Sequence, residues 1–165
     1  MKRIISLIFL SMLIGSMHFV EARSRYDKMI KDCRECIDKC EKCIGECIIC
    51  KETCKKTPEY TENPDIYALC VEDCDKCIKQ CEACIKTCRE CIANPDDKEI
   101  MQACINDCID CSKMCGACKI SCCLCKDLCK KDKYKAGEKA CRKCEDTCDK
   151  CMDACKRCAS TCLTE

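Results

Sequence analysis

Thiols are the only abundant chemistry-bearing groups in this chain: 30 of its 165 residues are cysteine, about 18%. That exceeds the 8–10% that already marks a short chain as a disulfide or metal scaffold. A deprotonated thiol is a soft metal ligand, and two neighbouring thiols can oxidise to a disulfide. Spacing says which geometry is on offer. The cysteines fall into four blocks: Cys33, Cys36, Cys40, Cys43, Cys47, Cys50 and Cys54; then Cys70, Cys74, Cys77, Cys81, Cys84, Cys88 and Cys91; then Cys104, Cys108, Cys111, Cys115, Cys118, Cys122, Cys125 and Cys129; then Cys141, Cys144, Cys148, Cys151, Cys155, Cys158 and Cys162. Within every block the intervals alternate three and four, and Cys123 alone departs from the rule.

Such alternation is the a/d seam of a heptad repeat, so each block must be a helix with one face of sulfur. Ile37, Ile44, Val71, Ile78, Ile85, Ile92 and Ile105 follow the seam at position e and widen the stripe for packing against a neighbour. The other faces carry Lys, Glu, Asp and Arg and read as a solvated exterior. Asn63-Pro64-Asp65 and Asn94-Pro95-Asp96 each offer an N-cap, a proline at the first helical position and an acid in the first turn. Thr57-Pro58-Glu59 reads as a capped single turn, and Gly137 falls in the third connection. These signals predict helices over 24–56, 64–93, 95–131 and 137–163. Short connections make successive helices antiparallel. The expected fold is all-α, an up-down-up-down antiparallel four-helix bundle with a cysteine-lined core.

Residues 1–22 read as a secretory signal peptide, leaving 23–165 as the bundle. Lys2 and Arg3 start it, residues 4–20 are largely apolar, and Val20-Glu21-Ala22 places small side chains at a cleavage site. There is no twin arginine, and no cysteine near the start to take a lipid. The expectation is export to a periplasmic or extracellular space, with no membrane attachment after cleavage. Removing this segment leaves 28 basic and 28 acidic residues and takes away the one histidine, His18. Zero net charge suggests no nucleic-acid partner, and the lack of imidazole excludes its acid–base chemistry. The chain is not expected to be an enzyme.

A seam of small thiols leaves the centre of a bundle underfilled, and empty volume there costs ~24 cal/mol per Å3. Three fillings compete. Disulfides suit an exported chain with an even cysteine count, as in a rigid structural or interaction protein. Cysteines three or four apart on one helix, however, have Cβ atoms ~5–6 Å apart, wider than a disulfide accepts, and a continuous ladder specifies no single connectivity. Zinc, as in a thionein-like protein, or an iron–sulfur cluster would also take thiolates. Zn2+ held by four thiolates carries −2, so stacked sites would bury a large uncompensated charge. Cu(I) prefers thiolate and accepts two or three sulfurs, so shared thiolates bring the filled core close to neutral. Capacity then runs from roughly 14 ions per chain towards 30 as bridging increases.

The pairs Cys36/Cys40, Cys43/Cys47, Cys70/Cys74, Cys77/Cys81, Cys84/Cys88, Cys111/Cys115, Cys118/Cys122 and Cys144/Cys148 share the C-x3-C spacing. With them the whole mature chain resembles the bacterial copper storage proteins, four-helix bundles whose cysteine-lined cores hold Cu(I). The resemblance implies copper kept as multinuclear Cu(I)–thiolate clusters for homeostasis or detoxification. It leaves room for a homo-oligomer and for a copper donor or acceptor protein. Extending the heptads places Met29 and Met101, with Tyr26, at one end of the seam, and Thr57, Tyr67, Asp132 and Tyr134 at the other. The methionines either admit copper or simply cap the core. Met114 and Met152 flank the seam and read as packing. Cys123, at position b, reads as exposed.

Overall fold

Each heptad block forms one helix in the computed structural model: α1 (Lys2–Cys54), α2 (Pro64–Ala93), α3 (Lys98–Lys131) and α4 (Lys135–Leu163). The backbone is described for residues 2–59 and 61–163, and side chains for 25–59 and 61–163. The expected signal segment therefore lies outside the described side chains. No helix among the described residues is long and apolar enough to cross a membrane.

The helices pack as a square. α1 meets α2, α2 meets α3, α3 meets α4, and α4 closes on α1, with α1/α3 and α2/α4 as the diagonals. Successive helices run antiparallel, as the connections predict. All 29 seam cysteines are buried, Cys162 the most exposed at 4%. Thiols here act as small hydrophobes, and the flanking Ile85 and Ile105 are buried beside them. Ile37, Ile44, Val71, Ile78 and Ile92 are partly buried against the same core. The stripe is wider than expected on its other flank, where position g contributes buried Thr87, Ser121 and Leu128. The charged exterior also links helices, through Lys51–Asp75, Arg89–Glu41, Lys119–Asp149, Lys126–Glu145 and Arg157–Glu35. The exposed pairs among them, Arg89–Glu41 and Arg157–Glu35, contribute at most about 1 kcal/mol each.

The helix ends correct the sequence expectation in three places. α1 begins at Lys2, not near residue 24. Asn94 closes α2, its N–H donating to the Glu90 carbonyl, and α3 starts three residues later than Pro95, at Lys98. Asp97 is the real N-cap: its carboxylate accepts from the Glu99 and Ile100 N–H groups at 3.0 and 3.1 Å. The Thr57 hydroxyl donates back to the Cys54 carbonyl at 2.9 Å. Gly137 lies inside α4, which starts at Lys135.

The α3–α4 connection is tight because the last turn of α3 closes on itself. Tyr134 N–H donates to the Cys129 carbonyl and Lys133 N–H to that of Lys130, with Lys133 at a φ of 54°. This is the left-handed closure that normally selects glycine. It turns Tyr134 over the start of α4, where a Cβ on Gly137 would stand 2.5 Å from the Tyr134 ring and 2.6 Å from Cys129 Sγ. Gly137→Ala should therefore destabilise the metal-free chain by about 1–2 kcal/mol, overpacking outweighing the helical preference for alanine. Gly45→Ala, with nothing within 4 Å of its new methyl, should stabilise it by about 0.5–1 kcal/mol. Urea midpoints of the two variants check the opposite signs.

Candidate metal centre

Heptad geometry advances 3.5 residues per layer, so the seam cysteines stack at about 5.2 Å intervals along the bundle. Six layers contain one cysteine from each helix. The first is Cys33, Cys88, Cys104 and Cys158, with Sγ···Sγ separations of 3.5–3.9 Å. Next come Cys36, Cys84, Cys108 and Cys155, then Cys40, Cys81, Cys111 and Cys151. Cys43, Cys77, Cys115 and Cys148 form the fourth layer. Cys47, Cys74, Cys118 and Cys144 form the fifth. The sixth is Cys50, Cys70, Cys122 and Cys141.

The layers are also joined to one another. Cys43 and Cys47 Sγ are 3.9 Å apart, Cys118 and Cys122 4.0 Å, and Cys88 and Cys108 3.9 Å. Groups of four sulfurs lying within 4.8 Å of one another recur along the axis, Cys33/Cys104/Cys158/Cys162 and Cys40/Cys81/Cys111/Cys151 among them. They are clusters able to hold metal ions. At a metal–sulfur bond of about 2.3 Å, sulfurs stand ~3.8 Å apart around a tetrahedral ion, ~4.0 Å around a trigonal one and ~4.6 Å across a linear one. The observed spacing suits three- or four-coordinate ions as it stands and a two-coordinate ion after small rotamer changes. Every described cysteine is a free thiol. Among the described residues no Lys, Arg, Asp or Glu is buried; Thr87, Ser112 and Ser121 are the polar side chains there.

The remaining five seam cysteines close the two ends differently. At one end Cys91 and Cys162 join Met29 and Met101; the Cys91 thiol lies 3.7 Å from Met29 Sδ. Met29, Met101 and Cys162 are 3–5% exposed, and an open pocket of about 180 Å3 is lined by both Met101 and Cys162. Tyr26 packs against the core here. At the other end Cys54, Cys125 and Cys129 meet Tyr67, which is buried and donates its hydroxyl to Asp132 at 3.1 Å. Tyr134 donates to the Thr53 carbonyl at 3.0 Å. Two aromatic rings thus plug this end. A groove between α1 and α2 runs over Cys54, but that thiol is fully buried.

Thiol acidity follows the network. The Cys81, Cys88 and Cys144 thiols are pushed well up, by bonds to their thiol neighbours and then by burial. Cys36, Cys77 and Cys104 are drawn down because surrounding thiols donate to them. At the methionine end Cys162 falls to about 5: a bond with Cys104 opposes this, but those with Cys158, Cys33 and Cys91 outweigh it. At the tyrosine end Cys129 is pushed up to about 11, against the bond with Cys125, by Cys141 and burial.

The structure thus gathers all 29 seam cysteines, with Met29 and Met101 at one end, as the heptads predict. Met152 packs against the core and Met114 is half-buried beside it. Cys123 is half-buried, not fully exposed. Sequence reasoning missed how Gly137 makes room for Tyr134 and Cys129; its heptad position, four residues before Cys141, was the available signal. Compared with models of protein families, with curated proteins and with solved structures, the chain matches none.

Proposed function

We propose that the chain is a copper storage or sequestration protein of the copper storage family, binding many Cu(I) ions as thiolate clusters inside the bundle. The observation that carries this reading is a continuous ladder of sulfurs 3.5–4.0 Å apart with no buried cation beside it among the described residues. A monovalent soft ion that shares thiolates fills such a ladder without leaving net charge, whereas stacked tetrathiolate zinc leaves −2 per layer. The all-sulfur ligand set suits holding an ion rather than cycling it through a reaction. In this reading the chain is exported, residues 1–22 are removed, and the copper is kept for a partner protein or kept from doing harm.

Copper enters at the methionine end. Cys162 is the thiol there that ionises readily near neutral pH, and Met29 and Met101 add thioethers that need no deprotonation. The opposite end presents hydroxyls hydrogen-bonded to oxygen.

The reduced chain titrated with Cu(I) against a competing chelator should take up at least about 14 ions, with nearly all thiols free beforehand. Followed in time, Met29→Leu/Met101→Leu should load about tenfold more slowly to the same final capacity. Zinc is the second reading, favoured by the fourfold grouping of the sulfurs. Uptake of six or seven Zn2+ that excess Cu(I) fails to displace would establish zinc instead. Few free thiols and no uptake of either metal would leave a disulfide scaffold.

A further inference from the structure

The outer face of α3 carries a longer uncharged run than the other helices, α1 exposing only Ile48 and Ile49 beside Gly45 among its described residues. Between Lys113 and Asp127 every outward heptad position is uncharged: Gly116, Ala117, Ile120, Cys123 and Leu124. Ile120 is 64% exposed and Leu124 50%, the one and the other a turn apart. The lysines that flank this stripe are turned away from it. Lys119 pairs with Asp149 at 2.7 Å and Lys126 with Glu145, both across to α4. An apolar stripe about 12 Å long is left facing water.

The stripe is self-complementary under reversal about Ile120. Four residues before Ile120 stands Gly116, and four after stands Leu124; Ala117 and Cys123 stand three before and three after. Laid antiparallel on a second copy, each Leu124 faces the notch at Gly116, floored by Met152, whose Sδ is 3.8 Å from where a Gly116 Cβ would be. The charges beyond obey the same symmetry. Lys113 and Asp127 lie seven residues either side of Ile120, and Asp110 and Lys130 ten either side. Within one chain they form the exposed pairs Lys113–Asp110 and Lys130–Asp127, at 2.9 and 3.3 Å. Across a two-fold axis each lysine meets an aspartate of the other copy, so both ends of the stripe gain opposite charges and neither gains like ones.

We propose that two copies of this chain associate antiparallel through the outer face of α3, about a two-fold axis at Ile120. A two-fold contact requires a patch that complements itself, which this one does in shape and in charge. A single-helix stripe is at the small end of specific interfaces, so the dimer dissociates in the micromolar range. The metal-holding core is on the opposite side of α3 and takes no part.

Sedimentation equilibrium of the reduced chain between about 1 and 200 µM tests this. A monomer–dimer equilibrium is expected, and Ile120→Glu should weaken it about 100-fold without changing metal capacity. Lys113→Asp sets like charges together twice per dimer and should weaken it about tenfold; Lys113→Asp/Asp127→Lys should restore it. Monomer throughout the range overturns the proposal. So does a dimer indifferent to Ile120→Glu, or one weakened by Lys113→Asp and not rescued by the double change. A monomer that binds vesicles through Ile120 would give this face to a membrane, and likewise overturn it.

Discussion

Loaded with Cu(I), the bundle should survive heating to about 95 °C, while the reduced, metal-free chain should unfold tens of degrees lower. The metal-free core is apolar enough to fold but thin: thiols occupy positions where leucine or isoleucine would ordinarily fill a layer. Six consecutive layers contain nothing larger than cysteine. In the proposed reading, copper supplies both the missing volume and the cross-links. A ligand present at 100 times its dissociation constant stabilises the state it binds by about 2.7 kcal/mol per site, and roughly 14 sites act on one folding equilibrium. Part of this is cancelled because the unfolded chain keeps its C-x2-C and C-x3-C pairs and still binds copper through them. What only the folded chain offers is sulfur from other helices, as where Cys40 meets Cys111 and Cys151. Even a net gain of about 8 kcal/mol corresponds to more than 20 °C for a domain of this size. Thermal unfolding followed by circular dichroism, with and without saturating Cu(I), measures the difference. A rise below about 5 °C would falsify the reading of the core as a cross-helix copper site.

The seam was legible in the sequence because the alternation of three and four fixes a helical face without reference to any neighbour. That face predicts burial, and every seam cysteine is buried. Which cysteine meets which was not legible, because layer membership depends on how far each helix slides along its neighbours. Cys33 shares a layer with Cys158 and not with Cys162 because the connections and their caps set that offset. The caps themselves were only half readable. Asn63-Pro64-Asp65 and Asn94-Pro95-Asp96 look alike, yet the first places Pro64 at the start of α2 while the second ends a helix. The difference lies in Asp97, whose carboxylate reaches two free N–H groups of α3 and so outcompetes Asn94 as the cap. Similarly, the heptad places Gly137 on the seam, four residues before Cys141, but does not say what it must make room for. Its role depends on Tyr134 folding back after Lys133 enters the left-handed region, a contact made by the turn and not by the heptad.

Proton release should fall from about two per Cu(I) at the first additions to about one near saturation. A thiol must lose its proton to bind, and hydrogen bonds to neighbouring thiols, reinforced by burial, keep thiols such as Cys81, Cys88 and Cys144 protonated in the empty core. The first ions each take two fresh thiols. Later ions bind sulfurs that already bridge, and fewer protons remain to be displaced per ion. Stacked zinc sites would release up to four per ion throughout, so the same titration in weak buffer separates the metals. The signs for pH follow. Early loading gains about two log units of affinity per pH unit, up to the ordinary thiol value near 8.5 and beyond it for the raised thiols. Stability of the empty bundle runs the other way. Raised thiols in the folded state contribute stability that is complete below the unfolded value and is lost as pH rises through the folded one. Thiols drawn down, such as Cys36, Cys77 and Cys104, act in the opposite sense only up to the unfolded value, so above it the raised ones alone set the slope. The empty bundle therefore weakens in alkali, where the unfolded chain ionises freely, and the loaded bundle weakens in acid, where protons compete with copper. Urea midpoints at pH 6, 8 and 10, with and without Cu(I), should show the two dependences with opposite slopes. Parallel slopes, or a constant two protons per ion ending near 14 ions, would mean that thiolates are not shared between ions.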